Sequence, residues 1–553
     1  MRHGTVRSLA VAAVAGVVAA ACGSRGADEL PAELLQSAVT ALGEDSVVTL
    51  ASGDTVRLSS HTAAFYEGRA YAAAWVDSRR LGEQGRAVYE ALSRSDEDGL
   101  PPQQYRHDVA AALLSALEPE RRSDRLPDSV AVRYLADLDL LLTEGFGRYA
   151  RDLVAGTLDP TEAGLDWRIQ GEVADAGAVL NNAAGGRDPG EIVEHLRPSI
   201  PYYERMRTAL AAYRAAADRG GWSVIPEGAT LREGERNEAV VLLRRRFLSG
   251  MDPREAELAQ VGAGDSTLFD ASLKEAVQHF QQRHSIEADG AVGAATLREL
   301  NHTVEDRIAE MRLNLDRWRW LPNELGERFV IVNIAGFELE LVDGGRAIES
   351  MNVVVGRLER ATPIFADSIQ HVVVNPYWNV PDGIYRNDVV PAMERDPQYL
   401  VRNDMEFVDG RVRQRPGPRN SLGRYKFLFP NEFDVYLHDT PEGQLFSRVN
   451  RDFSSGCIRL ERPEDFARLL LDLQTDDGAS QLDPLLTHWN ESWIKLDRTL
   501  PVYLLYFTAW VDENGTVRFH HDVYGRDGKL ETQAEDRLQA PDEPPRIALR
   551  PQG

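Results

Sequence analysis

The chain has 553 residues, 43% hydrophobic and 27% charged, the make-up of a folded globular protein with room for about three or four domains of roughly 150 residues each. A formal net charge of −25 excludes nucleic acid and anionic lipid headgroups as the main electrostatic partners, since both are polyanions.

Arg2, His3 and Arg7 make a basic start, Leu9 to Val18 is apolar, and Ala19-Ala20-Ala21 supplies small residues before Cys22. The apolar run is too short for a permanent membrane span. Residues 1–22 are therefore expected to be an export signal, placing the protein in the cell envelope or periplasm. Ala-Ala-Ala-Cys resembles a bacterial lipobox, with Ala19 where leucine is commoner, which implies lipidation at Cys22 and a membrane anchor. An ordinary secretory signal is the alternative. Either way Cys22 is acylated or removed, so Cys457, the other of two cysteines, has no intramolecular partner and is a candidate reactive thiol.

Residues 23–45 are small, polar and acidic and read as a linker. Residues 46–232 read as a mostly helical scaffold, with apolar residues at helical spacing in Ala70 to Leu92, Val130 to Leu153 and Pro201 to Ala217. The aromatic residues of Phe65-Tyr66, Tyr71, Ala74-Trp75 and Tyr105 are expected to pack in its core.

Residues 233–302 form a second unit, with one helix through Val240, Leu242, Leu243, Phe247 and Leu248 and another through Ala276, Val277 and Phe280. Asp289-Gly290-Ala291-Val292-Gly293 then turns into a helix carrying Thr296, Leu297 and Leu300. The unit resembles a three-helix peptidoglycan-binding domain, which implies glycan as a partner; a structural spacer is the alternative. His279 and His284 are not at i,i+4 spacing and lack a zinc-type ligand pattern, so neither a metal nor another cofactor is expected.

From 303 to 528 the pattern turns to strands: Phe329–Asn333, Glu338–Val342, Met351–Val355 and His371–Val374. The pattern breaks over a Pro-, Arg- and Asp-rich insertion at about 382–418. Pro463 starts a helix with Phe466, Leu469, Leu470 and Leu473 at helical spacing, and Glu513-Asn514-Gly515 joins two further strands. Residues 529–553 are expected to be a disordered tail.

The chemistry concentrates in two stretches, Tyr436-Leu437-His438-Asp439-Thr440-Pro441 and Ser454-Ser455-Gly456-Cys457-Ile458-Arg459-Leu460. A thiol near ~8.5 is mostly protonated at neutral pH and needs a base, which His438 can supply. Residues 432–438 read as a strand with Asp434, Tyr436 and His438 on one face, and the small-residue turn before Cys457 can aim backbone N–H groups at a developing oxyanion.

H-D-T-P followed by S-S-G-C-I-R-L resembles the signature of the L,D-transpeptidases. Ser455, where histidine is common, is similar to the long YcbB-like branch. Asp98-Gly99-Leu100, Gly147-Arg148-Tyr149-Ala150, Gly156-Thr157-Leu158-Asp159-Pro160, Arg317-Trp318-Arg319-Trp320 and Asn375-Pro376-Tyr377-Trp378 extend the resemblance along the chain. It implies a multidomain protein: a β-rich sandwich catalytic domain with the insertion as a cap, a helical scaffold and a small peptidoglycan-binding unit. It also implies that Cys457 attacks a peptidoglycan stem peptide, releases D-alanine and passes the acyl group to a neighbouring stem as a 3–3 cross-link. Gly456, Cys457 and Ser455 are the candidate oxyanion donors, and Tyr436, Trp378 and Arg459 the candidate substrate contacts, with a structural ion pair the alternative for Arg459. Asp439 is expected to orient His438 through its main chain or else to form a turn with its side chain. Competing readings are a wall-binding structural lipoprotein with a decayed catalytic domain and an L,D-carboxypeptidase. A papain-like protease is disfavoured, because there the cysteine precedes the histidine. The acyl acceptor and the oligomeric state are left open by the sequence.

Overall fold

Among the described residues, helices are nearly all of the regular secondary structure up to Asn301 and strands dominate after Arg328, as the change in hydrophobic period predicts. The computed structural model describes residues 30–40, 47–77, 79–118, 126–228, 230–260, 264–474 and 478–539; the expected export signal, Cys22 and the tail from 540 lie outside the described residues.

The scaffold is built around the helix Asp128–Ala155, most of whose residues from Leu135 to Val154 are buried. Its Asp139 carboxylate accepts the Tyr66 hydroxyl at 2.6 Å and the Trp75 N–H at 2.7 Å, while Thr143 Oγ1 accepts the Trp75 indole N–H at 2.7 Å. This explains a departure from the expected helix over Ala70 to Leu92. Asp139 draws the N–H groups of Ala74, Trp75 and Val76 out of any helical ladder, Ala70 and Tyr71 take positive φ, and the helix begins only at Glu83. The short hairpin β1 (Val47–Thr49) and β2 (Thr55–Arg57) flanks this core. The linker reading of 23–45 is corrected in part: Ala32–Thr40 is a helix whose Leu35 and Val39, four residues apart, are buried in the scaffold core.

The second unit has helices Glu238–Leu248, Ala271–Arg283 and Ala294–Asn301, with Pro253–Gln260 added between the first two. Gln281 accepts the Gly290 N–H at 2.8 Å and donates to Thr296 Oγ1 at 3.0 Å, so the turn is held by a buried side chain. Asp252, Glu255 and His279 converge here, a carboxylate arrangement that the sequence reading did not find because two of the three lie on another element. Arg283 donates to Glu255 at 2.8 Å, approaches Asp252 to 3.4 Å and reaches Val517 O at 2.6 Å. The cluster is thus an ion-pair node fastening this unit to the β-rich domain.

The β-rich domain contributes β3 (Arg328–Asn333), β4 (Glu338–Asp343), β5 (Arg346–Gly356), β6 (Phe365–Val374), β7 (Trp378–Asn379), β8 (Met405–Val408), β9 (Arg411–Gln414) and β10 (Tyr425–Leu428). It continues with β11 (Leu437–His438), β12 (Asp452–Ser454), β13 (Ile458–Leu460), β14 (Ser492–Leu505), β15 (Ala509–Val511) and β16 (Val517–Phe519). Nine of these form one ladder in the order β12-β5-β13-β11-β10-β6-β14-β3-β4, and β4 pairs again with β5. The β-rich layers therefore come from one sheet that curls back on itself around Val330, Val332, Val353, Val372, Phe427, Leu437, Ile458 and Val502. The expected hairpin exists but stands apart, with β15 and β16 forming their own two-stranded sheet.

Helix Pro463–Asp472 buries Phe466 and Leu470 behind β10, each such burial contributing about 1.5–3 kcal/mol. The 382–418 insertion folds into short helical turns and the strands β8 and β9, which join β7 just before it in the sheet β7-β9-β8 over a small core of Val380, Val389 and Val412. Helix Arg526–Gln539 corrects the disordered-tail expectation for 529–539: Asp527 accepts from Arg317 and from Thr508 Oγ1, and Leu530 is fully buried.

Candidate active site

The pairing of β10, β11 and β13 assembles the site. β11 lies antiparallel to β10, with Lys426 opposite His438, and parallel to β13, with His438 opposite Arg459. Cys457, the residue before β13, therefore arrives beside Tyr436, whose carbonyl accepts the Ile458 N–H at 3.1 Å. The strand expected from 432 is shorter than predicted. Asn431 Oδ1 accepts the N–H groups of Phe433 and Val435, Asp434 takes φ +54°, and pairing starts only at Leu437. Asp434 so leaves the face it was expected to share, while Tyr436 and His438 keep it, their rings edge-to-face at 5.6 Å.

His438 is buried and its Nδ1 lies 2.5 Å from Asp439 O. A carbonyl only accepts, so Nδ1 carries the proton and Nε2 is left with the lone pair of a base. Burial first, then the positive charges of Arg459 and Lys426, push the imidazole down to about 3, and the bond to Asp439 opposes them. Both roles considered for Asp439 are filled by different atoms: its carboxylate accepts the N–H groups of Arg424 and Thr440, each at 2.6 Å.

Cys457 is partly exposed, and its Sγ–H lies 3.8 Å from Asp434 O. Dense surroundings push the thiol up from its ordinary value, against the pull of the Tyr436 main chain and hydroxyl, Lys426 and Arg459. The buried Tyr436 side chain neighbours both Cys457 and Trp378 of β7, so these two candidate substrate contacts lie between the cap and the sulfur. Histidine and thiol are both neutral at rest, and attack by sulfur requires its proton to move to Nε2 as the bond forms.

The nucleophile turn is stiffened from inside. Ser454 Oγ donates to Cys457 O at 2.6 Å and accepts the Gly456 N–H at 3.1 Å; Thr362 Oγ1 donates to Gly456 O at 2.9 Å, and Gly456 sits at φ +114°. The Gly456 N–H expected to face an oxyanion is thus taken by the buried Ser454 hydroxyl, which needs partners of its own, whereas the Cys457 N–H directly adjoins the thiol. The Ser455 hydroxyl accepts from Arg360 at 2.9 Å, and the same guanidinium nitrogen meets Asp388 of the cap at 2.7 Å. Arg459 takes the ion-pair alternative, with Glu442.

Sequence reasoning missed Lys426, Arg360 and Asp388. Alternation in Arg424–Leu428, with Tyr425 and Phe427 buried, was the available signal that Lys426 faces away from the core.

With this geometry in hand, the comparisons identify the architecture. Residues 327–476 match the family model described as "L,D-transpeptidase catalytic domain", residues 60–210 match "Scaffold domain", and residues 255–300 match "Putative peptidoglycan binding domain". In chain order the matched segments are thus similar to a scaffold domain, a putative peptidoglycan-binding domain and an L,D-transpeptidase catalytic domain. It is 32% identical over 242 residues to a Haemophilus influenzae protein named "Putative L,D-transpeptidase", across 40% of this chain and 48% of the relative. It is 31% identical over 154 residues to the Mycobacterium tuberculosis N-acetylmuramoyl-L-alanine amidase CwlM, across 26% of this chain and 36% of that protein. The chain thus spans about half or less of the length of these curated relatives. An L,D-transpeptidase structure from Mycobacterium smegmatis aligns at 13% identity and a TM-score of 0.19, over 32% of this chain and 58% of that one.

Proposed function

We propose that this chain is a cysteine L,D-transpeptidase that forms 3–3 cross-links between peptidoglycan stem peptides. The observation that carries the reading is the parallel pairing of β11 with β13, which puts a base of defined tautomer beside the segment that presents the thiol. Cys457 Sγ attacks the carbonyl of the L-centre of the third-position diamino acid as its proton passes to His438 Nε2. The tetrahedral oxyanion, facing the Cys457 N–H, collapses; the C–N bond breaks and D-alanine leaves with the proton from His438. A neighbouring stem's amine, deprotonated by His438, attacks the thioester and returns the sulfur as a thiol.

The same reading has the protein exported to the cell envelope and held by a lipid on Cys22, which mass spectrometry of that residue would reveal or refute. Among the described residues no helix is long and apolar enough to cross a membrane. A groove of about 790 Å³ lined by Ile225, Leu231, Asn237, Val292, Leu297 and Asn301 is where the small helical domain would hold wall, and its failure to sediment with purified sacculi would favour a spacer role.

The central test is intact-protein mass spectrometry of the full chain with a disaccharide-tetrapeptide. A thioester adduct with stoichiometric D-alanine release is expected, and none with Cys457→Ala. A folded wild type that forms no adduct, or an adduct that survives Cys457→Ala, would overturn the proposal.

A further inference from the structure

Lys426 enters the site by strand register. Directly opposed residues of an antiparallel pair project to the same face, so its side chain rises on the side of the His438 imidazole. The side chain is half-buried and its ammonium lies 3.9 Å from the centroid of the ring of Tyr436, the residue whose carbonyl accepts the N–H of Ile458, next to Cys457. Among the described residues no carboxylate comes within ion-pair distance of it. The acidic groups whose charges act on it are those of Cys457, Glu491 and Asp434. Half-buried ammonium groups ordinarily have a counter-ion, and among the described residues this one has no carboxylate paired with it.

We propose that Lys426 is a positioning residue of the reaction: a fixed positive charge on the Tyr436 ring that stabilises negative charge on Cys457 Sγ. This deepens the transpeptidase reading and rests on it for the identity of the electrophile. When Sγ–H transfers its proton to His438 Nε2, the sulfur becomes negative within reach of Lys426 and Arg459. The new imidazolium is repelled by the same two cations, which speeds return of the proton to the departing amine. Arg459 is partly neutralised by Glu442, and Arg360, at Ser455, by Asp388, so Lys426 is the cation here with no ion-pair partner among the described residues. Tyr436, His438, Asp434 and Glu491 are the remaining titratable groups around the pair.

The test is the pH dependence of carbamidomethylation of Cys457 by iodoacetamide in the full chain, read at the Cys457 peptide by mass spectrometry, for wild type, Lys426→Met, Lys426→Gln and Lys426→Arg. Loss of the charge is expected to move the alkylation midpoint up by about one pH unit, and arginine to restore it. Two neutral variants guard against misfolding of one, with circular dichroism checking both. An unchanged midpoint in either folded neutral variant, or the same shift with arginine as with methionine, would overturn the inference. No peptidoglycan enters this measurement, so a chain that shows the shift but fails to release D-alanine refutes the transpeptidase reading alone.

Discussion

The main-chain carbonyl of Asp439 holds the His438 Nδ1–H at 2.5 Å while the Asp439 carboxylate faces the other way, onto the N–H groups of Arg424 and Thr440. Orientation of the base is therefore a backbone property. Asp439→Asn should leave the acylation rate within a few-fold of wild type while lowering stability by about 1–3 kcal/mol, as buried N–H groups lose a charged acceptor. His438→Ala should slow acylation by roughly 10²–10⁴-fold, far beyond what its loss of a buried side chain does to stability alone. Rates with a tetrapeptide donor and thermal midpoints of both variants check this contrast. Equal rate losses would place the orienting role on the side chain.

Gly423 lies against that carboxylate. It takes φ +58°, and a Cβ there would come within 2.2 Å of the Asp439 Cγ. Gly423→Ala should cost about 1–3 kcal/mol through strain and overpacking, and it should slow acylation by displacing Asp439 and with it the imidazole. Retention of full acylation by a destabilised variant would show that the displacement stops short of His438.

Protonation of buried histidine should make the fold acid-sensitive. Burial pushes both His438 and His520 down to about 3 from an unfolded value near 6.5, so the unfolded chain binds more protons across that window. Stability is then fully present above about pH 6.5 and falls as pH drops towards 3, by about 2 kcal/mol per histidine at pH 5. His438→Gln should weaken the dependence of the thermal midpoint between pH 5 and 7, leaving the share that His520 contributes. A variant as acid-sensitive as wild type would contradict the burial argument.

Arg360 ties Ser455 of the nucleophile turn to Asp388 of the cap through a single guanidinium nitrogen. The pair is partly exposed, with Arg360 21% and Asp388 45% accessible, so its loss should change stability by less than about 1 kcal/mol. Its expected effect is on the cap: Arg360→Ala and Asp388→Asn should each speed limited proteolysis within 382–402 and raise the KM for donor peptide more than they lower kcat. Unaltered cleavage rates would mean that the small core of Val380, Val389 and Val412 holds the cap unaided.

What the sequence by itself determined is what local pattern carries. The switch from helical to strand spacing near Arg328, the Pro463 helix, the Gly290 turn and the adjacency of Tyr436, His438 and Cys457 to small or turn-forming residues are each written within a few neighbouring positions. Tertiary structure decided the rest, because it depends on register and burial between distant segments. Asp139 draws Ala74, Trp75 and Val76 out of a helix from more than sixty positions away, and Leu35 and Val39 turn an apparent linker into a core helix only once a scaffold exists to bury them. Ser454 claims the Gly456 N–H because its hydroxyl is buried, and Lys426 meets the site only because β10 pairs with β11 in a register that sets it opposite His438. A one-residue slip in that ladder would turn the ammonium towards the core, a long-range choice that no spacing within Arg424–Leu428 encodes.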